Sequence, residues 1–292
     1  MAPAPLHDMR VQRTHASPSA LHSPLTRRPW GSGRQRTVPP AGKLATIAAL
    51  LFFSVYLAPP LVAQTSILEL DHIYIVVQPP ASRAAEALRK AGLVVDPAIN
   101  RHEGLGTASM AVFFANAYLE LLWVDSSTYV DPAHLGDIAD YRRAATWRDS
   151  GASPFGVGLH FLTGAPEDLA FHVRRDPAPH LGPDSYYLLL RQPDEKLVPD
   201  VFIVPLSAAV TTWLSRYRNR RPDLFAHPLG AERITRVILC GSPANRPRAG
   251  VLRPRPIAFE PASTQYLVVE FDGGLKGGLL DLRPTLPLIL GH

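Results

Sequence analysis

Two stretches decide the reading of this chain: LELDHIYIVV (Leu68–Val77), with His72 near its middle, and AYLELLWVD (Ala117–Asp125), with Glu120 near its middle. Both are rich in β-branched and aromatic residues and alternate, so both read as strands. An imidazole or a carboxylate inside an apolar strand is costly to bury unless something uses it. Between the two lie a helix-like run, Ala81–Ala91, stopped by Gly92, and a short strand, Leu93–Ile99. A Gly-containing loop (Arg101–Gly106) and a strand (Thr107–Ala115) follow, with Asn116 as the turn before Tyr118–Val124. The order is β-α-β-β-β, and His72 and Glu120 flank the unit as if pointing into one shared site.

A second unit follows a polar, helix-compatible connection, Pro132–Ser150. Phe155–Thr163 reads as a strand with His160 inside it, Pro166–Arg174 as helix-like, and Tyr186–Arg191 and Val201–Leu206 as strands. The matching order points to an internal duplication. Beyond it, Ala208–Tyr217 reads as helix, Arg233–Cys240 and Gln265–Phe271 as strands, and Asp281–Leu290 as a packed tail. The late strands either extend the sheet of the paired units or cover it.

The +5 net charge is misleading. Seven of the 30 basic residues and only one of the 25 acidic residues precede Leu44, so the remainder is close to neutral. No basic stripe or nucleic-acid motif is present, which argues against a polyanion partner. Residues 1–43 read as a disordered basic leader rich in Pro, Arg, Ser and His. The uncharged run 44–63, preceded by Lys43 and ending Leu61-Val62-Ala63, has the parts of a secretory signal cut near Ala63. It is also long enough to be an uncleaved membrane anchor. Either reading puts residues 64–292 outside the cytoplasm, in the periplasm or beyond, with membrane contact only through 44–63. The single cysteine, Cys240, excludes an internal disulfide and reads as a small buried hydrophobe.

Residues 68–240 resemble the glyoxalase-like branch of the vicinal oxygen chelate superfamily. The matching elements are Leu70-Asp71-His72-Ile73, Gly104-Leu105-Gly106-Thr107-Ala108 and Tyr118-Leu119-Glu120-Leu121-Leu122, with a further likeness in His227-Pro228-Leu229-Gly230-Ala231. The resemblance implies an α+β fold: paired βαβββ modules (68–125 and 155–206) forming a cupped mixed sheet, within a domain spanning 64–240. Residues 241–292 would then be an extension packed on it. It also implies a divalent metal (Fe, Zn, Mn or Ni) held by His72, Glu120 and His160, with Glu120 as an alternative base and open positions for substrate. Simple alternation puts His72 on one face with Leu70 and Tyr74, Glu120 with Tyr118 and Leu122, and His160 with Gly158 and Leu162.

The chain departs from the four-ligand glyoxalase pattern, because VFIVPL offers Ile203 and Pro205 where a second carboxylate would sit. Glu270 is a candidate replacement, and the departure argues against glyoxalase I activity itself. His102, Thr107 and Tyr118 are candidate substrate contacts at the cup, with Arg191 a further candidate for its wall. His227 reads as a turn and cap residue, and His134, His172, His180 and His292 carry no pattern. Two functions stay open. One is a metal-dependent lyase, isomerase or dioxygenase acting on a small molecule with vicinal oxygens. The other is a metal-free small-ligand-binding protein like the resistance-type members. Substrate, metal and oligomeric state, including a homodimer, are not legible in the sequence.

Overall fold

Leu68–Val76 forms β1, and its alternation changes phase halfway along. Leu68 and Leu70 lie in the main core, and so do Ile73 and Ile75. Such a switch from even to odd positions needs one extra residue. The antiparallel ladder to β5 (Phe155–Phe161) shifts register between Leu70 and His72, so Asp71 is a β-bulge. This corrects the expectation that His72 shares a face with Leu70. Leu70 packs into the core, and His72 turns to the other face with Tyr74 and Val76.

The computed structural model of the chain describes residues 67–292 except 170, 183, 191–196, 248–255 and 284. The leader, the 44–63 segment and Arg191 lie outside the described residues. Among the described residues no helix is long and apolar enough to cross a membrane.

The first module continues with α1 (Ser82–Lys90), β2 (Asn100–His102), β3 (Thr107–Phe113) and β4 (Tyr118–Val124). Ala84, Ala85 and Leu88 bury one face of α1 in the core. Gly92 ends it at φ +81°, with Leu229 packed where a Cβ would stand. The second module is β5, β6 (Val173–Pro177), β7 (Tyr186–Leu190) and β8 (Asp200–Ile203). The eight strands form one curled mixed sheet in the order β2-β3-β4-β1-β5-β8-β7-β6. Read outward from the centre, both halves run first strand, last strand, then the middle two, which is the signature of the duplication. β1 and β5 meet antiparallel in the middle, and each lies parallel to its own module's last strand.

Two expected elements differ. Residues 93–99 form no strand, and β2 falls in what reads as loop. Pro97 has no N–H to give a ladder, and only the Asp96 amide bonds across, to Ala111. The helix expected at Pro166–Arg174 is a single 3-10 turn, Pro166–Asp168, after which the chain extends into β6. One turn behind Gly164 at φ +84° is too short a nucleus to propagate.

The connection between modules forms α2 (Leu135–Ala145) and α3 (Trp147–Ser150), and α4 (Val210–Arg220) follows β8. β9 (Ile234–Gly241), β10 (Ile257–Pro261), β11 (Tyr266–Phe271), β12 (Leu279–Asp281) and β13 (Leu288–Gly291) build a separate five-stranded sheet. They therefore do not extend the cup. Val237, Leu239, Leu267, Val269 and Phe271 join Ile73, Leu119, Val157 and α1 in one core on the outer face of the eight-stranded sheet. The inner face is left to line a cavity.

Candidate functional site

Strand register sets out the floor of the cup in rows. Tyr118, His72, Gly158 and Phe202 stand side by side across β4, β1, β5 and β8. The next row is Glu120, Tyr74, Gly156 and Asp200. The two glycines are required by the aromatic rings beside them. A Cβ on Gly158 would lie 2.7 Å from the His72 ring, and one on Gly156 would lie 2.0 Å from the Tyr74 ring. The rows and α2 enclose a cavity of about 220 Å³, open on one side. More carboxylates than guanidinium groups line it: Glu120, Asp137, Asp140, Asp176 and Asp200 against Arg143 and Arg174.

His72 and Glu120 meet across adjacent strands, with Nε2 and Oε2 4.0 Å apart. Each is anchored by its other polar atom. Ser109 donates to Glu120 Oε1 at 3.1 Å. His72 Nδ1 lies 2.8 Å from Asp71 Oδ1. Asp71 is wholly buried, and burial alone would raise its pKa. The contacts from His160 and His72 and the Val210 amide outweigh that and hold it below the usual carboxylate range. Asp71 thus holds Nδ1, and Nε2 faces Glu120 across the cup. Burial opposes a charge on His72, but the Asp71 hydrogen bond and the Glu120 charge raise its pKa overall. Burial raises Glu120 above its ordinary value, partly offset by His72 and Ser109. Such a carboxylate is a better proton acceptor than a solvated one.

His160 stands on the same sheet face but one step along, opposite Glu69 rather than His72. Its Nδ1 is 3.3 Å from Asp71 Oδ2 and its Nε2 3.9 Å from Glu69 Oε2, neither aligned as a hydrogen bond. Asp71 therefore lies between His160 and His72, and His160 is not part of the cavity wall. Its other expected face-mate, Leu162, lies beyond the end of β5 and is exposed.

Tyr118 stacks on His72 at 4.5 Å and 17° and lines the cup. His102 also lines it, with Nδ1 2.9 Å from Thr107 Oγ1 and Nε2 3.0 Å from the Asn100 amide. Thr107 backs His102 without reaching the cavity itself. Burial, with help from His180 and His72, pushes His102 down to about 3. Glu270 lies on β11 of the second sheet beside Arg236, far from the role of a second carboxylate in the cup. Asp200 is the carboxylate that opens β8 there, and Tyr74 donates to it at 2.5 Å. His227 is structural: its Nδ1 accepts from the Val94 amide and its Nε2 donates to the Phe113 carbonyl.

Among the described residues, His134, Asp137 and Asp176 form the one trio whose metal-binding atoms lie within 4.8 Å of one another. They sit at the mouth of the cup, where the 3-10 turn Pro132–His134 and the start of α2 approach β6. The 2.9 Å contact between His134 Nδ1 and Asp137 Oδ2 at a helix start accounts for two of the three without an ion. Sequence reading passed over this trio because its members come from a connection and a short strand.

Residues 70–155 match the family model of a glyoxalase-like domain, from β1 to the first residue of β5. This match spans the first module alone, and the paired modules in one curled sheet are consistent with the vicinal oxygen chelate fold. A crystal structure of a hypothetical protein from Staphylococcus aureus aligns over 77% of this chain and 99% of its own, at 13% identity and a TM-score of 0.45. No protein of curated function gives a match.

Proposed function

We propose that the protein is a glyoxalase-like enzyme that takes a small molecule with vicinal oxygens into the cup, with His72 and Glu120 as a divalent-metal pair. The observation that carries this is the opposition of His72 Nε2 and Glu120 Oε2 at 4.0 Å, each locked from behind by Asp71 or Ser109. Donors bound to one ion at roughly 2.0–2.2 Å stand up to about 4 Å apart, so the pair fits. When bound, such a metal would polarise the substrate oxygens as a Lewis acid and leave open positions for them. Tyr118 and Phe202 flank the His72 ring and fix its plane. As the alternative to ligating the metal, Glu120, raised by burial, would take a proton from a carbon that bears one of the two oxygens. Lyase, isomerase and dioxygenase chemistry all begin from such a bound oxygen pair. We also infer export: the sequence of 44–63 suits a signal or anchor that carries the domain out of the cytoplasm.

A second reading is a metal-free small-ligand-binding protein. It is favoured by β5, which offers the cup Gly156 and Gly158 where a third ligand would project, while His160 stands behind Asp71. Elemental analysis of protein purified without chelator decides between them. A stoichiometric divalent metal, lost in both His72→Ala and Glu120→Gln, supports the enzyme. Metal-free wild-type protein that fails to take up Fe, Zn, Mn or Ni supports the binding protein.

A further inference from the structure

We propose that Asp71 and His160 are positioning residues that fix the flip and tautomer of the His72 ring, so that its Nε2 lone pair faces the cup. The proposal rests on His72 as the working imidazole of the site, and it assigns a purpose to the bulge. An uninterrupted ladder between β1 and β5 would have no residue at position 71. The extra residue is a carboxylate, inserted between two histidines and wholly buried.

Packing alone cannot do this job. Tyr118 stacked at 4.5 Å, Phe202 edge-on at 5.3 Å and the close approach to Gly158 fix the plane of the His72 ring. Rotating the ring by a half-turn keeps that plane but exchanges its nitrogens for carbons. Only a directional bond chooses between the two, and Asp71 Oδ1 supplies it at 2.8 Å. Asp71 must itself be held. The amide of Val210, at the start of the eleven-residue helix α4, donates to Oδ2 at 2.9 Å. The helix dipole there also favours an anion. His160 closes the other side of Oδ2 at 3.3 Å. It is 1% exposed, and neither ring nitrogen makes an aligned hydrogen bond to any described residue. A buried imidazole with Asp71 as its nearest ionic neighbour is placed to restrain that carboxylate. Outer partners of a ligand histidine commonly set its tautomer and ring orientation in this way.

The test is a long-range ¹H–¹⁵N spectrum of histidine-labelled full chain in mildly alkaline buffer, where neutral imidazoles reveal their tautomer, with Zn²⁺ titrated calorimetrically. Wild-type His72 should show a protonated Nδ1 and a bare Nε2. His160→Phe should convert it to a tautomer mixture and weaken Zn²⁺ about 10–100-fold. His160→Gln, which offers Asp71 an amide N–H, should recover most of both. A wild-type His72 protonated on Nε2 overturns the proposal and needs no variant that must fold. An unchanged His72 spectrum in a folded His160→Phe protein overturns it equally. Wild-type protein that binds no Zn²⁺ but loses the tautomer in His160→Phe keeps the positioning role while refuting the metal reading.

Discussion

Replacing Gly156 by alanine should destabilise the protein by about 2–5 kcal/mol, and the figure follows from three opposing effects. The new Cβ would lie 2.0 Å from Tyr74 Cε1, 2.1 Å from Cζ and 2.6 Å from Cδ1. These are ring atoms of a side chain only 5% exposed, stacked on Phe202 and edge-on to Tyr141, so they cannot swing away cheaply. Overpacking of this kind costs about 1–3 kcal/mol. Any ring shift also stretches the hydrogen bond from Tyr74 to Asp200, and a bond to a charged group contributes about 1.5–3 kcal/mol. Against this, alanine recovers about 0.5–1 kcal/mol of the backbone entropy that glycine loses in a strand. Urea unfolding followed by tryptophan fluorescence should show a lowered midpoint at unchanged slope. Gly136→Ala is the control. It lies near the start of α2 with nothing within 4 Å of the new Cβ, and should stabilise by about 0.5–1 kcal/mol. Gly158→Ala, at 2.7 Å from His72, should fall between them and lower the affinity for any metal. If Gly156→Ala proves as stable as Gly136→Ala, the close packing of Tyr74 over β5 is wrong.

Three other outcomes are expected. Metal content should vanish in His72→Ala and Glu120→Gln yet persist in Asp176→Asn; the reverse pattern would move the metal to the mouth of the cup. His102 binds its proton near 6.5 when unfolded but only at about 3 when folded. Stability should therefore fall as pH drops below 6.5 and go on falling towards 3, by at most about 1.4 kcal/mol per pH unit from this residue. A His102→Gln variant that keeps the wild-type pH dependence would refute this. A chain beginning at Gln64 should fold with the stability of the full chain, and N-terminal sequencing of exported protein should find its start near Gln64. Full-length protein extracted only with membranes would favour the anchor, and soluble cytoplasmic full-length protein would defeat both.

The cup sheet was readable because its strands carry period-two patterns that the tertiary fold keeps. Tyr118–Val124 and Thr107–Phe113 are strands in both readings. What failed were segments whose local pattern was overruled. Residues 93–99 alternate well enough for a strand, but Pro97 denies them a ladder, and pairing passes to the polar Asn100–His102 opposite Thr107–Ser109. The helix-like Pro166–Arg174 had composition without length. Of the five strands of the second sheet only β9 and β11 read as strands, β13 fell in what reads as a packed tail, and the separation of this sheet from the cup depends on pairings such as β9 with β11, which periodicity does not encode.

The site shows the same limit in sharper form. A lone polar residue in an apolar strand announces that something is buried, which is why His72, Glu120 and His160 stood out alike. It does not say where the side chain points. Direction comes from register, and register here turns on one residue. The apolar positions Leu68 and Leu70 are even and Ile73 and Ile75 are odd, so the change of phase was present in LELDHIYI and located the bulge at Asp71 or His72. Taken at face value, that change turns Leu70 away from His72 and sets His160 opposite Glu69, one step outside the cup. The partnership of Tyr74 with Asp200, 126 positions apart, needs β1, β5 and β8 laid side by side, and no pattern within one strand contains it. The bulge is thus the point where a local irregularity in the sequence determines the chemistry of the cup, because it makes room between two histidines for the carboxylate that orients one of them.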